Sequence, residues 1–163
     1  MRVVKFGIIS VAVMVIMVLL ISLLFPSEVI VSRATDISAP SAKIDSLVRD
    51  MRLWNQWVEG MNLSIVKVYN ADSALLGNTI VSLIAKTDST YITKWEAANA
   101  PAQISTIRLI TGGSASTTTV VQWQFVQHLH WYPWEKFGSM MNDKIIGARL
   151  EQNLANLKKL AEK

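Results

Sequence analysis

Six of the chain's thirteen aromatic residues are tryptophan. Trp54, Trp57, Trp95, Trp123, Trp131, Phe125 and Phe137, with Met141, are the candidates for lining a hydrophobic cavity. Ligand pockets are mostly apolar and aromatic, and the thioether of methionine adapts to irregular space. Trp134 and Met140 belong to the same set by type. These rings suit the packed core of a small domain equally well. Val121, Trp123, Phe125, Leu129 and Trp131 lie at even spacings along the last strand, so they share one face with Gln127 and should look toward the core.

The remaining chemistry is sparse. His128 and His130 are the only histidines. Two apart on a strand, they would point to one side, about 7 Å apart. Zinc needs at least one more ligand, and the neighbouring sequence offers no convincing one, so no metal site is assigned. By alternation the pair faces away from Trp123 and Phe125. Glu135 and Asp143 have Lys136 and Lys144 as local partners on a solvated helix face. Tyr91 and Glu96 are polar groups for a pocket mouth. No phosphate-binding glycine loop, nucleophile elbow or metalloprotease motif is present. No catalytic residue and no cofactor are therefore assigned. There is no cysteine, which excludes disulfides, thiolate metal sites and an acylated cysteine at the N-terminus.

These residues must be positioned by one domain's worth of chain, and part of the 163 residues is spoken for. Phe6 to Phe25 is a run of twenty residues with no charge and no proline. At about 1.5 Å rise per residue such a run crosses the hydrocarbon of a bilayer. Backbone groups in lipid must be paired locally, so a helix is forced despite the many β-branched residues, and Pro26 ends it. The run is longer than the apolar region of a signal peptide and lacks a good cleavage site, which favours an uncleaved anchor. Arg2 and Lys5 precede it, which places the N-terminus in the cytoplasm and the rest of the chain on the extracytoplasmic, periplasmic side. Residues 1–27 are thus the expected anchor and 28–163 the expected domain. Beyond Arg2 and Lys5 the net charge of +4 falls to +2. The positive residues are scattered, so nucleic-acid binding is not expected.

After the anchor, Glu28–Ser38 alternates as a strand and Ala39-Pro40 breaks it. Ser41 would cap a helix over Ala42–Asp50, and a second short helix, Leu53–Val58, would carry Trp54 and Trp57 on one face. Strands are expected at Leu63–Tyr69, Thr79–Lys86, Tyr91–Ala97, Ile104–Ile110 and Thr117–Leu129. Turn residues separate them, notably Asn70-Ala71-Asp72, Gly77-Asn78, Asn99-Ala100-Pro101 and Gly112-Gly113-Ser114, and this implies an antiparallel meander. Pro133–Glu162 reads as one long helix with an apolar stripe of Ile146, Leu150, Leu154, Leu157 and Ala161. A curved sheet with one apolar face must cover it, and this helix is the only element large enough.

That order resembles the helix-grip fold of the SRPBCC superfamily, which includes START lipid-transfer domains, birch-pollen-type allergens and polyketide cyclases. Val31-Ser32-Arg33-Ala34-Thr35-Asp36-Ile37-Ser38-Ala39-Pro40 looks like the opening strand and its Ala-Pro turn. Leu47 to Trp57, with its Trp-x-x-Trp, looks like the helix pair that follows. Asn142 to Gly147 and Leu154 to Leu160 are similar to the end of bacterial polyketide cyclase/dehydrase-like members that carry an N-terminal anchor. Lys67–Lys86 lacks the Gly-rich strand pair common in such relatives. The resemblance implies an α+β helix-grip domain, with a curved antiparallel sheet around a long C-terminal helix and two short helices after the first strand. It also implies a hydrophobic or lipid-like ligand held between sheet and helix, beside the membrane lipid that the anchor contacts. The alternatives are a cyclase- or hydrolase-type enzyme using a pocket Tyr, Glu or His, and a non-catalytic interaction module with a filled core.

Overall fold

The computed structural model describes residues 2–98, 100–112, 117–139 and 141–163. Met140, Asn99 and most of the Gly112-Gly113-Ser114 turn lie outside the described residues.

Helix α1, Arg2–Leu23, has no polar face beyond Arg2 and Lys5 in its first turn. Its stretch Val4–Leu23, 20 residues, is long and apolar enough to cross a membrane. Within that stretch only Ser22 is buried among the described residues, as expected of a helix with no polar face that is met by the rest of the chain only at its C-terminal end. Strand β1, Glu28–Ile37, follows. Helix α2, Ser41–Arg49, then buries Ile44 and Val48. Its N-cap position is Pro40, with no side-chain capping bond, so the expectation that Ser41 caps it is corrected: Ser41 is the first helical residue. The second short helix is a 3₁₀ segment, Met51–Gln56, and Asp50 supplies its cap by accepting from the Arg52 N–H.

Strands β2, Val66–Asn70, β3, Ser73–Leu76, β4, Thr79–Lys86, β5, Thr90–Ala97, β6, Gln103–Thr111, and β7, Thr119–His128, complete one antiparallel sheet. Its order is β1-β7-β6-β5-β4-β3-β2. Strand β3 was not anticipated. Four residues between two turns are too few for alternation to register. Gly77, at φ 60°, takes the left-handed position of the two-residue β3–β4 turn, where a side chain would be strained.

The expected single helix 133–162 is two: α3, Pro133–Ser139, and α4, Asn142–Ala161. The apolar stripe belongs to α4 alone. Leu150, Leu154, Leu157 and Ala161 are each at most 2 % exposed, and α4 packs chiefly along β1. Arg33 of β1 bridges the two elements, its Nε donating to Glu151 at 2.6 Å and its Nη1 to Asp143 at 3.0 Å. The local pairing of Asp143 with Lys144 is therefore corrected: the strand brings a bidentate guanidinium from 110 residues away, which a flexible neighbouring lysine cannot match. Helix α3 packs instead on the end of α1. A seven-stranded antiparallel sheet closed by a C-terminal helix, with two short helical segments after the first strand, is the helix-grip fold.

Candidate functional site

Inward-facing residues of the sheet form crosswise rows. Val29 pairs with Gln127, Gln127 with Gln103, Gln103 with Trp95, and Trp95 with Val81. This row starts at the second residue of β1, so it lies at the end of the sheet nearest α1. One row further on, Phe125 pairs with Ser105, and the next pairs Trp123 with Ile107.

Between these rows and α4 lies a space of about 190 Å³. Trp95, Trp123, Phe125, Val58, Ile146 and Leu150 supply most of its apolar lining. The rings form a chain. Trp95 and Phe125 meet edge-on at 5.3 Å, Phe125 lies 6.0 Å from Trp123, and Trp123 is edge-on to Trp57 at 5.5 Å and to Trp54 at 6.2 Å. Every indole N–H in the chain of rings is used internally. Trp54 donates to the Val48 carbonyl, Trp57 to the Leu47 carbonyl, Trp95 to Thr93 Oγ1 and Trp123 to Ser105 Oγ at 2.6 Å. The rings therefore offer the space apolar surface and no free donor.

Two open recesses adjoin this space. One, about 380 Å³, runs past Glu59, Leu63, Leu76 and Asn153. The other, about 330 Å³, runs past Thr79, Trp95, Pro101 and Gln103. Arg149 and Leu76 border all three. Arg149 is exposed, and no hydrogen bond or ion pair engages it among the described residues. The second recess has no carboxylate in its lining.

The structure divides the predicted aromatic set three ways. Trp95, Trp123 and Phe125 line the space. Trp54 and Trp57, each 1 % exposed, are packed behind it as core. Trp131, Phe137 and Met141 are not brought to it. Strand β7 ends at His128, so the alternation that would have turned Trp131 inward has stopped, and Trp131 is 63 % exposed. Phe137, on α3 against Phe25, and Met141, just after the break between α3 and α4, are exposed. Tyr91 is fully buried in the core, away from the mouth. Glu96 is paired with Lys94 at 2.8 Å. His128 and His130 are exposed, and Glu135 accepts from the His130 N–H at 2.8 Å rather than pairing with Lys136. No group of three potential metal ligands converges among the described residues. Sequence reasoning missed Leu76, Gln103 and Arg149 as lining. Ile146 and Leu150 were visible as helix stripe, but nothing in the sequence marked which part of the stripe stands over open space.

No family model matches the chain, and no curated protein matches it. Solved structures do. A START superfamily protein from Mycobacterium smegmatis superposes with a TM-score of 0.62 at 17% identity, over 82% of this chain and 97% of that one. The protein XoxI from Bacillus cereus gives 0.60 at 17% identity, over 81% and 94%. An HSP90 activator from Plasmodium falciparum gives 0.57 at 11% identity, over 80% and 94%. At such identities the likeness is one of fold, and the fold is that of START superfamily proteins.

Proposed function

We propose that the chain binds an amphipathic molecule with an apolar tail and an anionic head, beside the membrane in which its N-terminal helix sits. The observation that carries this reading is the apolar space under α4 opening past the unpaired Arg149. A tail laid against Trp95, Phe125, Ile146 and Leu150 gains about 25 cal/mol per Å² of apolar surface removed from water. Binding then needs no reacting group, in keeping with the absence of an assigned catalytic residue. The carboxylate-free recess beside Thr79, Gln103 and Arg149 suits a carboxylate or phosphate head, because a guanidinium without a partner is free to pair with it.

In this reading residues 1–27 are the anchor and 28–163 the binding domain. Arg2 and Lys5 before the apolar run favour a cytoplasmic N-terminus and a domain on the other side. The row holding Gln103 and Trp95 is at the end of the sheet where β1 leaves α1, which supports a mouth on the side of the domain that faces the lipid.

A second reading, an interaction module with a filled core, is favoured by the small volume of the enclosed part, about 190 Å³, and by the three buried tryptophans beside it. The HSP90 activator with the same fold is in keeping with it. One experiment separates the two. The full chain in lipid nanodiscs is photolabelled with a diazirine fatty acid, and the adducts are mapped by peptide mass spectrometry. Binding predicts adducts at Ile146 and Leu150 as well as on α1. Leu76→Trp, which fills the space, should remove the former and spare the latter. Arg149→Gln should weaken labelling by the acid but not by the matching alcohol. Adducts confined to α1 in the unaltered chain would reject the binding reading.

A further inference from the structure

Helix α3 is amphipathic the wrong way round for a helix in water. Its buried positions are Pro133, Lys136 and Ser139, with Lys136 only 4 % exposed. Trp134 is 69 % exposed, and Phe137, Met141 and Ile145 are also exposed. Trp134 and Phe137 are three apart on α3, and Met141, the N-cap of α4, is four before Ile145, so the exposed apolar patch takes in residues on both sides of the break. Trp131 and Tyr132 extend it. Tyr132 stacks on Trp134 at 4.8 Å, and Trp131 lies 4.9 Å from Tyr132. A water-facing surface with its lysine inside and its tryptophans outside inverts the usual order of burial.

The buried side of α3 explains where this patch sits. Lys136 Nζ donates to the carbonyl of Phe25 at 3.0 Å, just beyond the last turn of α1. Phe137 meets Phe25 edge-on at 5.3 Å, and Ser22, three residues before Phe25, is buried. The patch is thereby fixed level with residues 22–25, the outer end of a stretch as long as the hydrocarbon layer is thick. Tryptophan and tyrosine concentrate at that level of a bilayer, with ring bodies in the acyl boundary and polar edges among the headgroups.

We infer that the exposed side chains of Trp131, Tyr132, Trp134, Phe137, Met141 and Ile145 are a membrane-docking surface that lies in the interface of the same bilayer α1 spans. It holds the domain against the lipid instead of leaving it to swing on the Pro26 linker. The partner is the phospholipid bilayer itself, and the argument for it is continuity: the patch is contiguous with α1. This inference rests on the anchor in the reading above, but not on the ligand.

The test uses the full chain in vesicles of phosphatidylcholine brominated at carbons 6 and 7. Bromine quenches only indoles that it touches. Helix α1 contains no tryptophan, so the anchor itself contributes nothing. Unaltered protein should lose about a third of its emission, since two of the six tryptophans are placed at the interface. The W131F/W134F variant, changed only at exposed positions, should lose that component. Quenching that persists in the variant reports lipid reaching Trp95 in the cavity, so the two readings fail separately. Equal quenching of both proteins, with both floating with the vesicles, would overturn docking. So would protection of the patch that appears only as protein concentration rises, which is the mark of a second copy. Failure of the unaltered protein to float would overturn the anchor and docking together.

Discussion

The guanidinium of Arg33 lies directly against Gly147, close enough that a Cβ at position 147 would collide with Nη2 and Cζ. Gly147 is midway between Asp143 and Glu151, four residues from each. The three positions therefore form one line on α4, and Arg33 lies along it with a carboxylate at either end. The glycine is what allows an arginine from the core side of β1 to cross the helix surface and reach both.

This sets the sign of a substitution. Alanine for glycine in a helix interior normally gains about 1 kcal/mol. Gly147→Ala should show none of that gain, because the methyl displaces Arg33 from both partners. In an Arg33→Ala background the gain should return. Urea unfolding of the full chain in micelles, followed by the emission of its buried tryptophans, would measure both. Equal effects in the two backgrounds would mean that the residues are not coupled.

Two carboxylates are held below their ordinary range by arginine. A hydrogen bond from Arg33 does this for Asp143, and one from Arg52 does it for Asp50. Their folded pKa values lie below the unfolded ones, so the proton prefers the unfolded chain. The stability these pairs contribute is complete above the unfolded carboxylate pKa of about 3.9. It is lost as pH falls through the lower, folded values. The urea midpoint should therefore respond little to these two groups near neutrality and decline below pH of about 4. Asp143→Asn should remove part of that decline. An unchanged acid limb in D143N would show that Arg33 does not hold this carboxylate in solution.

Two buried hydroxyls should behave in opposite ways. Ser105, wholly buried, accepts from the Trp123 indole at 2.6 Å. Ser105→Ala leaves that N–H desolvated and unpaired, at a cost of about 1–3 kcal/mol. The Tyr91 hydroxyl is buried with no partner among the described residues. Tyr91→Phe should be neutral or stabilising, since it removes a polar group that gains nothing. Thermal unfolding of the two variants checks the contrast, and a destabilised Y91F would indicate a partner that the chain itself does not supply.

Residue pattern alone determined much of this molecule. Twenty uncharged, mostly apolar residues marked α1 as a helix long enough to cross a membrane. Alternation located β1, β4, β5, β6 and β7 to within two residues at their ends. The Leu150, Leu154, Leu157 stripe identified the buried side of α4. These are local consequences of the 2.0 and 3.6 periods, written in neighbouring residues. Strand β3 escaped because Ser73–Leu76 is too short to carry a period.

Tertiary structure decided what stands opposite each face. Periodicity says that Trp123 and Phe125 share a side, but not that Trp54 and Trp57 fill part of the space in front of it while Trp95 borders what remains. It predicts Trp131 inward only if the strand continues, and pairing with β1 ends at Glu28 and His128. Arg33 reads as one of several residues on a strand until α4 brings Asp143 and Glu151 across it. Lys136 and Trp134 exchange their usual places because α3 meets the end of α1. Each outcome depends on contacts between residues far apart in the chain, and such contacts leave no mark in the spacing of neighbours.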